Sequence, residues 1–144
     1  MAPSRRAAAR STEASSSAAA SSSRPRAERL ADAVAEQGGR CSWCTRDFTA
    51  LVPPTTDHVV PRVKGGPSWR ENEVAACRRC NGQRGHLGPV EWLEECLRRG
   101  WPADPDALAT MLDRLDAAVT ERGGQRRARP YLHSQRRRLG RGVG

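Results

Sequence analysis

The sequence predicts an α+β fold: two short strands and a short helix form a small core, with helices before and after it and basic tails at both ends. Three observations predict it. Cys41-Ser42-Trp43-Cys44 and Cys77-Arg78-Arg79-Cys80 are C-x2-C pairs separated by 32 residues. A β-branched run lies between them, and apolar residues recur at helical spacing on either side.

Residues 1–25 are Ala, Ser and Arg with almost no acid, and they read as a disordered tail. From 26 to 37 strong helix formers place Leu30 and Val34 four apart, and Gly38-Gly39 stop the helix. Pro53-Pro54 break the chain before Thr55 to Val60, whose β-branched residues predict a strand that Pro61 ends. Gly65-Gly66-Pro67 predict a turn, and Asn72 to Ala76 return as a second strand into Cys77. The helix that follows begins near Cys80 and is short, because Gly82 and Gly85 weaken it.

A second helix is predicted from Pro89 to Arg99. Val90, Leu93 and Leu97 form its stripe, Cys96 lies on the same side, and Gly100 ends it. A third runs from Pro105 to Glu121 with Leu108, Met111, Leu112, Leu115 and Val119 in phase and Asp104 placed to cap it. From Arg122 onward the chain has eight arginines and no acid, and 123–144 reads as a disordered basic tail.

With 144 residues, 37% hydrophobic content and a single Phe and Tyr, the core is expected to be thin, so a metal staple should carry stability. The net charge of +9 calls for a polyanionic partner. No apolar run approaches the roughly 20 residues that cross a bilayer, so a soluble, cytoplasmic chain without a membrane partner is expected. The basic residues are arginine except for Lys64, which fits a bacterial or phage coding sequence.

Four thiolates in two C-x2-C pairs suit Zn²⁺ in a closed tetrahedral shell, with no position left to activate water. Cys41, Cys44, Cys77 and Cys80 are therefore candidate ligands of a structural zinc, whose binding is also folding free energy. Between the pairs, His58 can accept a proton near neutral pH. Asp57 and Asn81 offer oxygens suited to Mg²⁺ or Mn²⁺; the same residue types also suit a turn and a helix cap. His86 and His133 read as surface residues. Trp43, Trp69, Trp92 and Trp101 read as core fillers, with Trp69 beside the Gly-Gly turn also able to face a nucleic acid.

The run from Cys41 to Gly85, with Thr56-Asp57-His58-Val59-Val60-Pro61, Gly65-Gly66, Asn72 and Cys77-Arg-Arg-Cys80-Asn81-Gly-Gln-Arg84-Gly85, resembles the HNH endonuclease family in its ββα-metal form with a four-cysteine structural zinc. About a third of the chain carries the resemblance. It implies His58 as general base, Asn72 as the residue orienting the His-bearing loop, and Asn81 in place of the final His. Asp57 and Asn81 would hold a catalytic divalent cation, and Arg84, with Arg62 and Lys64 nearby, would contact nucleic acid. The implied activity is metal-dependent hydrolysis of DNA phosphodiester bonds, by nicking or double-strand cleavage, within a domain spanning 26–100 that precedes a C-terminal helix at 101–122. A zinc-stabilised nucleic-acid-binding or adaptor module without cleavage, or a nuclease acting only inside a larger assembly such as a phage packaging complex, is the alternative.

Overall fold

The structure, a computed structural model, describes residues 24–143. The expected N-terminal tail lies outside them, apart from Arg24 and Pro25. Helix α1 (Arg26–Glu36) ends where Gly38 and Gly39 take left-handed φ of +67° and +74°, a region closed to most side chains. Strands β1 (Pro54–His58) and β2 (Glu73–Cys77) pair antiparallel, with Pro54 opposite Cys77 and His58 opposite Glu73. Helices α2 (Arg78–Arg84), α3 (Pro89–Arg98), α4 (Pro105–Arg122) and α5 (Ala128–Gly140) follow. The chain is thus a ββα core between flanking helices.

A two-stranded ribbon is marginal by itself in water, and here its far edge is closed by a side chain. Gln37 Nε2 donates to the Ala75 carbonyl at 2.9 Å, and Gln37 Oε1 accepts from the Ala75 amide at 2.9 Å. One carboxamide thereby substitutes for the backbone of a third strand. Every residue of β2 is buried, which explains its Val-Ala-Ala composition.

Trp43, Val59, Val60, Trp92 and Leu93 of the core meet Leu108, Leu112 and Leu115 of α4 and Leu132 of α5. Asp104 Oδ1 caps α4 by accepting from the amides of Asp106 and Ala107. Cys96 is fully buried on the inner face of α3. Among the described residues no helix is long and apolar enough to cross a membrane.

Residues 123–143 correct the expectation of a disordered basic tail at 123–144, because α5 is packed onto the molecule. Ala128, Leu132 and Gln135 are buried along one face. Gln135 Oε1 accepts the Val90 amide at 3.0 Å, satisfying a donor that the start of α3 leaves without an intrahelical partner. The arginines find acids on the neighbouring helices. Arg136 pairs with Asp113 and Asp116, and Arg138 with Glu91 and Glu94.

Two boundaries also differ from expectation. Asn72 closes a 3₁₀ turn (Arg70–Asn72) and does not open β2. Helix α2 begins directly after Cys77, whose sulfur accepts the Cys80 amide at 3.4 Å.

Candidate active site

The sulfurs of Cys41, Cys44, Cys77 and Cys80 all lie within 4.8 Å of one another, and all four residues are buried. Cys44 and Cys77 sulfurs are 3.9 Å apart, against about 3.8 Å between ligands of a tetrahedral zinc with 2.3 Å bonds. The Cys77 amide donates to Cys41 Sγ at 3.3 Å. So close a set cannot keep independent protons. The Cys41 contact drives the Cys44 thiol far below its ordinary range, while the hydrogen bond with Cys44 pushes Cys41 up to about 11. Arg79 lowers the Cys44 thiol and the cysteines in turn raise Arg46, so positive charge opposes the excess that four thiolates would leave around a divalent ion. The donor set fits zinc.

β1 ends at Asp57 and His58 because Val59 and Val60 turn into the core and Pro61 stops the ladder. Asn72 holds that turn. Fully buried, it accepts the Val60 amide through Oδ1 at 2.8 Å and donates through Nδ2 to the carbonyls of Val60 and Pro67. Gly66 makes the closure possible, since a Cβ there would stand 1.8 Å from the Val60 carbonyl oxygen.

Asp57 is buried and clamped. Its Oδ2 accepts from Trp43 Nε1 at 2.9 Å and from Arg84 Nη1 at 3.0 Å, and its Oδ1 accepts the His58 amide at 2.8 Å. Asn81 reaches across from α2, and its Nδ2 donates to Thr55 Oγ1 and the Thr56 carbonyl, each at 3.0 Å. Both amide hydrogens face β1, and Oδ1 has no protein partner among the described residues. Asp57 Oδ1, engaged by one donor, and Asn81 Oδ1, engaged by none, fit a hard cation that keeps most of its waters.

His58 is largely buried, with its side chain 13% exposed. Burial pushes its pKa below the ordinary value, Glu73 and Asp57 pull the other way, and Arg62 and Arg26 reinforce burial. The imidazole is accordingly held neutral, the form that can take a proton.

Arg84 corrects the expectation of a phosphate contact. It is 1% exposed, and its guanidinium donates to Asp57 Oδ2 and to the carbonyls of His58, Val59 and Leu87. Its plane also lies 4.7 Å from the Trp43 ring centroid. An arginine at the last position of so short a helix points back at the strand that the helix covers. Arg62 and Lys64 are exposed on the turn that follows His58. Trp69 is half buried under the Arg122 guanidinium, 4.3 Å from its centroid.

Sequence reasoning missed Glu73. It sits opposite His58 in the ribbon, is 4% exposed, and receives both Nε and Nη2 of Arg29 from α1. The available signal was register: an acid at the first position of β2 faces the last position of β1.

Residues 41–91 match the family model described as HNH endonuclease. The chain is also similar to the CRISPR-associated endonuclease Cas9 of Corynebacterium diphtheriae. The two are 30% identical over 103 residues, covering 62% of this chain and 9% of the relative. The chain thus corresponds to a small part of that much longer protein.

Proposed function

We infer that the chain is a metal-dependent endonuclease that hydrolyses DNA phosphodiester bonds, with His58 as general base and Asp57 and Asn81 as ligands of a divalent cation. The observation that carries this reading is that Asn81 is hydrogen-bonded to β1 at Thr55 and Thr56, next to the Asp57 and His58 that end the same strand, with burial lowering the His58 pKa and Asp57 Oδ1 engaged by a single donor.

His58 takes a proton from a water molecule, whose oxygen attacks phosphorus as the bond to the 3′ oxygen breaks. The leaving 3′ oxygen takes a proton from solvent, giving 5′-phosphate and 3′-hydroxyl ends. When bound, Mg²⁺ or Mn²⁺ supplies Lewis-acid stabilisation of the charge that builds on the phosphate and the leaving oxygen. Asn72 keeps the His58 backbone in place through Val60, and Arg84 keeps the Asp57 carboxylate turned toward α2. Zinc on the four cysteines ties the loop before β1 to the start of α2 and takes no part in the chemistry. Arg62 and Lys64 meet phosphates beside the site.

The test is incubation with supercoiled plasmid in Mg²⁺, Mn²⁺ or EDTA. Nicked or linear product that needs the cation, and that falls by about 10²-fold or more in His58→Ala with zinc and DNA affinity retained, supports the reading. DNA binding without cation-dependent product supports a binding module in its place.

A further inference from the structure

His58 Nε2 is sealed from solvent and has no hydrogen-bond partner among the described residues. Glu73 Oε2 stands 4.0 Å from it. A buried imidazole nitrogen with nothing to bond is costly, and the carboxylate facing it is the buried group on the paired strand. Glu73 in turn cannot swing freely. Arg29 grips both its oxygens, at 2.6 Å through Nε and 3.0 Å through Nη2, and backbone pairing fixes its strand against β1.

We propose that Glu73, held by Arg29, is the positioning residue for His58: its carboxylate takes the Nε2 hydrogen of the ring, so that the Nδ1 lone pair is the one aimed at the attacking water. The proposal rests on the reading of His58 as general base. A neutral imidazole carries one hydrogen, and whichever nitrogen lacks an acceptor loses it to the other. Placing an anion at the buried nitrogen decides the matter in favour of the Nε2–H tautomer. The same anion stabilises the imidazolium formed when the water proton arrives, because Nε2–H then donates to a full negative charge. At 4.0 Å the contact is longer than a hydrogen bond, and contacts of this kind commonly tighten when substrate closes over the site. The Arg29 half of the device comes from α1, outside the segment that matches the family model. A helix N-terminal to the matched segment is therefore wired into its chemistry.

The experiment compares full-length wild type with Glu73→Gln and with the double variant Arg29→Met/Glu73→Gln, which removes the ion pair as a unit. Ring ¹⁵N shifts of His58 report the tautomer without any cleavage, and single-turnover plasmid nicking in Mg²⁺ reports the rate. In Glu73→Gln, Arg29 claims the amide oxygen and leaves the amide NH₂ facing His58. The Nε2–H tautomer should then lose its dominance and nicking should slow about 10-fold or more at unchanged DNA affinity and zinc content. In the double variant the amide oxygen is free to turn to His58, and both readouts should recover part of the way. If Glu73→Gln alone does not fold, the double variant compared with wild type and with Arg29→Met/Glu73→Leu carries the same measurement. An unchanged tautomer and rate in folded Glu73 variants, with His58→Ala inactive, overturns this proposal and leaves the general-base reading standing. His58→Ala cutting at the wild-type rate overturns the general-base reading itself.

Discussion

Arg84 and Lys64 are both basic residues near the motif, yet the fold gives them opposite work. Arg84 donates inward to Asp57 and three carbonyls, whereas Lys64 is exposed. Side-chain direction was not legible, because residue type and spacing do not say which way a short helix turns its last residue. Arg84→Ala strands a buried carboxylate and several carbonyls, a loss of about 3 to 5 kcal/mol in chemical denaturation. Arg84→Lys should recover little of it, since an ammonium cannot reproduce the planar fork. Arg62→Ala and Lys64→Ala should leave stability unchanged and weaken DNA binding. Titration of His58 gives a second test at this scale. Burial holds its pKa below the ordinary 6.5, against the pull of Glu73 and Asp57, and a cation on Asp57 pushes the same way. The base is active when unprotonated, so cleavage should switch on as pH rises through that lowered pKa. A pH–rate profile whose acid limb lies above 6.5 would contradict the assignment.

Among the elements, those with local signals were legible: the glycine stop after α1, the Asp104 cap of α4, the cysteine pairs and the β-branched strand before Pro61. Helix α5 was not, because the eight arginines from Arg122 onward read as a solvated run when taken by themselves. Its faint signal was Ala128, Leu132, Gln135 and Leu139 at spacings of four, three and four, with one polar member in the stripe. The acids that stabilise it belong to α3 and α4, so the deciding information is tertiary. Leu132→Ala is correspondingly predicted to cost about 2 to 5 kcal/mol, the range for a fully buried leucine. Denaturant midpoints measure it, and no change would return the segment to the status of a tail. The zinc cluster makes a separate demand. Cys77→Ser should lose zinc and cooperative unfolding together, whereas Cys96→Ser should retain zinc by metal analysis, since Cys96 is not among the four clustered ligands.

At the scale of the whole molecule, the net charge of +9 was legible but its availability was not. Counterion release counts only cations that reach phosphates, and two of the arginines of α5 already face carboxylates. Arg136 spans Asp113 and Asp116, and Arg138 spans Glu91 and Glu94. Arg127 and Arg129 donate to the Val63 and Val119 carbonyls, which spends donors without cancelling charge. Arg126, Arg137 and Arg141 are exposed and have no acid partner among the described residues. The two groups should therefore separate in experiment. Replacing Arg126, Arg137 and Arg141 together with Gln should flatten the log–log salt dependence of DNA binding by up to about 0.9 for each arginine that met a phosphate, at unchanged stability. Replacing Arg136 and Arg138 with Gln should lower the denaturant midpoint while leaving that slope nearly as it was, because those cations are bound to protein acids before DNA arrives. Removing everything after Gly124 mixes both effects and uncovers the face of α4 that Leu132 fills, so the point variants read the electrostatics cleanly where truncation does not. A slope that falls equally for both sets would mean that DNA pulls Arg136 and Arg138 off their acids, and that the basic surface extends over the whole outer face of α5.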